Sequence, residues 1–270
     1  MEEKVNNQPI GVFDSGIGGL TVAREITRTL PNESIIYLGD TARIPYGTRS
    51  KEVVTRFAKE LMDYLLKLDV KALVVACNTI SATCLEELQA ISPVPVLGVI
   101  KPAAKVAVET TQSKVVGVIA TRGTVGSKAY DNEINKINGD IKVISQACTL
   151  FVPIAEEGLG DDEVARVMAD RYLSVFTGTG VDTLILGCTH FPLLRDTIQQ
   201  SIGKNIALVD SAQPTAEELK EILGEKDLLS NSTESHNKFL VTDAPQRVFE
   251  IASVFFGKEV FPQIEKVNLD

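Results

Sequence analysis

Short apolar runs alternate along this chain with longer stretches of helical period. IGVFD (10–14), SIIYLG (34–39), ALVVA (72–76), VVGVIA (115–120), IKVISQ (141–146) and TLILG (183–187) read as near-continuously apolar strands. Strands with polarity on neither face are buried on both, as in parallel sheets covered by helices. The segment after Arg49 shows the helical half: Val53, Phe57, Leu61, Tyr64, Leu65 and Leu68 recur at spacings of three, four and seven, with charges on the other face. The pattern predicts an α/β fold of doubly wound type.

An internal repeat refines this. KALVVACNT (71–79) aligns with DTLILGCTH (182–190) on their cysteines, and IGVFDS (10–15) aligns with VGVIAT (116–121) upstream. Gly11 to Cys77 spans 66 positions and Gly117 to Cys188 spans 71, so each half runs from a first strand to a later strand tipped by cysteine. Such a repeat predicts two pseudo-symmetric parallel-sheet lobes with a cleft between them. The prolines of PVPVLGVIKP (93–102) mark the boundary. The segment after about 208 has helical patterns at 215–223 and 244–256 but few strands, too little for a lobe. The expected division is therefore 1–98 plus 209–270 for the first lobe and 99–208 for the second.

Composition limits the function classes. With 270 residues, 44% hydrophobic and 23% charged, the chain has the profile of a soluble globular protein with a sizeable core. Lys plus Arg number 27 against 36 Asp plus Glu, and the net charge of −9 disfavours nucleic acid as a ligand. A small anion stays possible, because a local nest of backbone N–H groups can hold a carboxylate. MEEKVNNQPI has no apolar signal core, and the longest apolar run, Ala72 to Cys77, is too short to span a bilayer; a cytoplasmic protein with no membrane partner is expected. The four cysteines form no CxxC pair, and the only histidines, His190 and His236, lie far apart, so free thiols and no metal are expected.

Cys77 and Cys188 stand where a strand gives way to polar residues, the edge at which open α/β sheets bind ligands. Helices starting near Thr79 and His190 would lower the thiol pKa from about 8.5. A lone cysteine in an apolar run is more often a core residue. The repeat of cysteine followed by Asn78-Thr79 or Thr189-His190 points instead to chemistry, whereas Cys84 and Cys148 lack that context and read as core. DSGIGGL (14–20) fails the dinucleotide fingerprint, which needs glycine where Thr21 stands. It is either a carboxylate-binding turn presenting Asp14 or a tight turn with Asp14 as helix N-cap. YLGDTARIPYG (37–47) brings Asp40, Arg43 and Tyr46 to the same edge, either as a ligand loop or as a surface loop with Arg43 paired to an acid. FVPIAEEG (151–158) sets Glu156 and Glu157 at the end of an apolar segment, where most acids are surface helix starts. His190 is placed to serve Cys188 or a substrate, and His236, in a polar run, reads as solvated.

Taken together, PIGVFDSGIGGLTV (9–22), YLGDTARIPYG, ACNTISA (76–82), FVPIAEEG and LGCTHFPLL (186–194) resemble the glutamate racemases, within the cofactor-independent aspartate and glutamate racemases. VDSA (209–212) and the FLVTDAP to FFG stretch (239–257) extend the resemblance along nearly the whole chain. His190 resembles the glutamate branch, since aspartate racemases tend to carry an acid there. The resemblance implies that one cysteine thiolate removes the α-proton from one face of glutamate and the other thiol returns a proton to the opposite face. No cofactor takes part. By residue matching, Cys77 and Cys188 are the proton donor and acceptor, the first acting on D-glutamate and the second on L-glutamate, with Asp14, Glu156 and His190 assisting. Asp14, Ser15, Tyr46, Gly47, Asn78, Thr79, Thr189 and His190 would hold the substrate. Thr149 stands where many relatives have proline, which touches nothing catalytic. The resemblance also implies a homodimer and a role in peptidoglycan synthesis. The competing readings are an aspartate or broader amino-acid racemase, a two-lobed binding protein closing on a small acid, and a cysteine hydrolase, against which the paired thiols argue.

Overall fold

The computed structural model describes residues 6–256 and 263–269; the first five residues, and Gly257 of the FFG motif, lie outside the described residues. The first half of the chain runs β1 (Ile10–Asp14), α1 (Leu20–Thr29), β2 (Ile35–Gly39), α2 (Lys51–Leu66), β3 (Ala72–Val75), α3 (Asn78–Ile91) and β4 (Val96–Gly98). Then follow α4 (Ile100–Thr110), β5 (Val115–Ala120), α5 (Arg122–Ser127), α6 (Ala129–Ile137), β6 (Lys142–Ala147), α7 (Phe151–Glu156) and α8 (Glu163–Leu173). The chain continues through β7 (Thr183–Gly187), α9 (Arg195–Ile202), β8 (Ala207–Val209), α10 (Ala212–Glu225), β9 (Lys238–Val241), α11 (Pro245–Phe256) and β10 (Ile264–Lys266).

Two parallel sheets result, ordered β10-β9-β2-β1-β3-β4 and β6-β5-β7-β8. All residues of β1, β2, β3 and β7 are buried, as apolar runs without a polar face require. The alternation of side chains sorts β1 between two cores: Ile10 and Val12 pack with α1 and α10, while Phe13 packs with α2. IKVISQ is an edge strand and only half-buried, which its Lys142, Ser145 and Gln146 accommodate.

The helix after Arg49 forms, capped by Ser50, whose hydroxyl accepts the Val53 N–H. Its buried face is rotated from the expected one. Val54, Ala58, Leu61, Met62 and Leu65 point inward, Val53, Phe57 and Tyr64 sit at the margin, and Leu68 lies beyond the helix end and is exposed. Helical spacing defines a stripe, but only packing chooses which side of it is the centre.

The chain leaves the first sheet after β4, and α4 packs Ile100, Ala103, Ala104 and Ala107 against Val116, Val118 and Ile185 of the second sheet. After β8 it returns: Ala212, Ala216, Leu219 and Leu223 of α10 pack against Val22, Ala23 and Ile26 of α1. The returning segment also adds β9 and β10 to the sheet edge. Strand register reproduces the sequence repeat. Ile10 pairs with Ala72 and Val116 pairs with Thr183, and Cys77 and Cys188 each lie five residues beyond that partner.

At the amino end of the first sheet Lys71 and Glu33 form an ion pair, each side chain 3% exposed. Lys71 Nζ also donates to Asn6 O at 2.7 Å, and Glu33 Oε1 accepts the Ser230 N–H at 2.7 Å, so the pair ties the segment before β1 and the loop before β9 to the sheet. Lys71→Met is expected to cost about 3–5 kcal/mol in urea unfolding, because it strands a buried carboxylate. The double variant Lys71→Met/Glu33→Leu should recover much of that loss.

Candidate active site

The carboxyl ends of both sheets open into one cavity of about 360 Å³. The first lobe lines it with Ser15, Tyr46, Gly47, Cys77, Asn78 and Thr79, and the second with Thr121, Arg122, Cys148, Glu156, Cys188, Thr189 and His190. The lobes touch on both sides of it. On one side the Gly123 N–H donates to Gly47 O at 3.1 Å, Thr79 and Thr121 hydroxyls lie 3.0 Å apart, and the Tyr130 hydroxyl donates to Asn78 Oδ1 at 2.6 Å. On the other, the Thr21 hydroxyl donates to Thr189 O at 3.4 Å, and Gly18 leaves no room for a Cβ beside Thr189 and His190.

Cys77 caps α3, and its Sγ donates to Ser15 Oγ at 3.3 Å. The expectation that the helix end lowers this thiol is overturned. Burial, reinforced by the Asp14 carboxylate, pushes the Cys77 pKa up to about 12. Asp14 is fully buried, and its own pKa is raised by burial against the opposing pull of His190 and the backbone N–H groups of Gly16, Gly19 and Ser15. Its Oδ2 accepts the Gly16 N–H at 2.9 Å. Asp14 therefore stands behind Cys77 and is absent from the cavity lining, while the N-cap of α1 is Gly19. The glycines of DSGIGGL serve close packing: a Cβ on Gly19 would lie 2.5 Å from Asp14 Cβ.

Cys188 has a different neighbour. His190 Nδ1 lies 3.9 Å from its sulfur, and His190 Nε2 lies 3.0 Å from Glu156 Oε1 at the end of α7. Burial pulls the imidazole pKa down, but the hydrogen bonds to Cys188 and Glu156 outweigh it and carry it up to about 10. At neutral pH the ring is thus an imidazolium donating to sulfur on one side and carboxylate on the other. The helix expected to start at His190 is instead a single 3-10 turn, Phe191–Leu194, followed by α9.

Other expectations divide. Arg43 takes the structural course: it pairs with Asp40 at 2.6 Å and with Glu60, and its guanidinium lies 4.0 Å from the Phe57 ring centre. Tyr46, from the same loop, reaches the cavity. Glu157 makes an exposed ion pair with Arg247 at 2.7 Å, and His236 is exposed. Cys84 is buried as expected, but Cys148, read as a core residue, also lines the cavity. Its N–H donates to Ala120 O at 2.9 Å just as the Asp40 N–H donates to Asp14 O at 3.0 Å, so it is the second-lobe counterpart of Asp40. Thr121 and Arg122 were not singled out from sequence, although the alignment of IGVFDS with VGVIAT sets Thr121 opposite Ser15. Among the described residues, no group of three or more His, Cys, Asp or Glu side chains could hold a metal ion, and no helix is long and apolar enough to cross a membrane.

Residues 10–219 match the Asp/Glu/hydantoin racemase family. A glutamate racemase of Geobacter metallireducens is 51% identical over 249 residues, covering 92% of both chains. The chain belongs to the Asp/Glu/hydantoin racemase family. Among solved structures of this racemase family, a glutamate racemase isoform from Bacillus anthracis superposes with a TM-score of 0.94 at 40% identity, covering 98% of both chains. A glutamate racemase from Francisella tularensis in complex with D-glutamate gives 0.90 at 38% identity, covering 98% of this chain and 99% of that one.

Two outcomes follow for this family member. The His190 imidazole should remain protonated at pH 8 by nitrogen-detected NMR, and Glu156→Gln should lower its midpoint. Because the folded pKa lies above the reference value of about 6.5, the stability contributed by His190 is present below that pH and is lost as pH rises through about 10. Separately, a Cβ on Gly47 would lie 2.9 Å from Thr121 Cβ. Gly47→Ala should force the lobes apart there and raise KM severalfold, read by steady-state kinetics.

Proposed function

We propose that this protein is a glutamate racemase that interconverts L- and D-glutamate without a cofactor, Cys77 and Cys188 exchanging protons at Cα. The observation that carries the reading is that two cysteines at equivalent register positions of two related sheets line one cavity. Inversion at carbon needs an acceptor on one face and a donor on the other, and pseudo-symmetric lobes supply that pair. The names of the similar proteins support glutamate as the substrate.

The charges around the sulfurs suit a resting state for L-glutamate. His190 Nδ1 stands 3.9 Å from the Cys188 sulfur, while burial and Asp14 keep Cys77 protonated. The Cys188 thiolate takes the α-proton and becomes a thiol. The Cys77 thiol then gives its proton to the opposite face and becomes a thiolate. The reverse sequence acts on D-glutamate, with Asp14 as the acid-base group behind Cys77.

A carbanion without an electron sink must be stabilised by the site itself. Asn78 supports this: Tyr130 fixes its Oδ1, and its buried Nδ2 has no partner among the described residues, which suits a carboxylate ligand. Ser15, Thr79, Tyr46 and Gly47 line the cavity from the same lobe, and Thr189 lines it from the other. Donors aimed at the α-carboxylate stabilise its enediolate-like form. On this reading, lobes 1–98 plus 209–270 and 99–208 close over the substrate. The family resemblance further supports a cytoplasmic homodimer that supplies D-glutamate for peptidoglycan synthesis.

Incubating the purified protein with L-glutamate in D₂O tests the reading: optical rotation should decay to zero as deuterium enters Cα. Cys77→Ser and Cys188→Ser should each slow racemisation roughly 10²–10⁴-fold, the scale of one general acid or base. Racemisation of aspartate alone would move the substrate assignment, and inertness toward both acids would sink it.

A further inference from the structure

The loop that brings Tyr46 and Gly47 to the cavity is held at its base by a carboxylate with no part in the proton transfer. Asp40 follows β2 and is fully buried. Its Oδ2 accepts from Arg43 Nε at 2.6 Å and from the Tyr46 hydroxyl, and its Oδ1 accepts from the Thr242 hydroxyl at 2.9 Å. Thr242 follows β9, in the returning segment and outside the residues that match the family. Its Oγ1 also accepts the Ala42 N–H at 2.9 Å, so the hydroxyl is occupied both as donor and as acceptor. The next residue ties the same loop again: the Thr41 hydroxyl donates to Asp243 O at 2.6 Å, and the Asp243 N–H donates back to Thr41 Oγ1 at 2.8 Å.

The other end of this network is the cavity wall. Tyr46 is 2% exposed, its ring centre lies 5.5 Å from that of Phe57, and its hydroxyl is spent on Asp40. Gly47 follows, and its carbonyl receives the Gly123 N–H of the other lobe. A buried carboxylate keeps one arrangement only while its acceptors are filled, since an unmet lone pair in the interior costs desolvation.

We infer that Asp40 and Thr242 are positioning residues: the C-terminal segment completes the substrate cavity by fixing, through the Asp40 carboxylate, the wall formed by Tyr46 and Gly47. The kinetic consequence rests on the glutamate racemase reading; the structural one does not.

Thr242→Val keeps the side-chain shape and removes both hydroxyl bonds. It should raise KM for glutamate about fivefold to tenfold, the scale of one typical net hydrogen bond, with kcat changed less than about twofold. The rate of iodoacetamide labelling at Cys77, followed by peptide mass spectrometry, should rise by a similar factor, because Tyr46 and Cys77 share a wall and an apolar cluster. Thr242→Ser should restore both. Val241→Ala is the control: Val241 is buried in the neighbouring core, so its loss should lower Tm while leaving KM and labelling unchanged. Unchanged KM and labelling in Thr242→Val, or equal changes in Val241→Ala, would overturn the inference. If Thr242→Val does not fold, Thr242→Ala is read in the same way. A wild-type protein inert toward glutamate would defeat the functional reading alone, and the labelling rates would still decide this one.

Discussion

Strands buried on both faces have only their ends on which to display chemistry, and the arrangement of this molecule follows from that constraint. β1, β3, β5 and β7 spend their side chains on the cores, so polar and reactive groups collect where each strand stops. Ser15, Cys77, Thr121 and Cys188 all lie just past a strand end. Turning the two carboxyl edges toward each other makes one cavity from both sets. Close approach then demands small residues at the seams, which is why Gly18 lies against Thr189 and His190, and Gly47 against Thr121.

The pseudo-symmetry is a symmetry of backbone, and the side chains break it. Asp14 of the first lobe is matched by Ala120 in the second, and Asp40 by Cys148. Consequently a carboxylate stands behind Cys77, whereas a histidine held by Glu156 stands beside Cys188. Two sulfurs at equivalent positions therefore have unlike neighbours, an aspartate behind one and a histidine beside the other. For the proposed exchange of a proton between faces of one carbon, matched positions supply the stereochemistry and unmatched neighbours make the two thiols chemically distinct.

Electrostatic control in the site is relayed through side chains that never reach the cavity. Asp14 acts on Cys77 from beneath, and Asp40 sets the course of the loop that walls the cavity. Both are fully buried carboxylates: an arginine and two hydroxyls answer the charge of Asp40, whereas the backbone N–H groups at Asp14 do not offset its burial, and its pKa is raised. Arg43 follows the same logic as the partner of Asp40 and Glu60.

Fold class, lobe repeat and the strand-end placement of Cys77 and Cys188 were legible in the chain itself, because strand periodicity, the residues ending a strand and a duplicated motif are local properties. Other features depended on what lies next to what in space. Glu156 reaches His190 across 34 positions of sequence, and Thr242 reaches Asp40 across 202. The direction of the Cys77 shift reversed because burial and Asp14 outweigh a helix end, and burial is a property of the packed whole. Cys148 joined the wall through its place in the second sheet. The sequence by itself marked β1, β2, β3, β5, β6 and β7 and the residues that end them, whereas the short strands β4, β8, β9 and β10 were not legible in it. Tertiary structure alone decided which of those ends meet and what charge each one faces, since long-range contact and desolvation have no local signature.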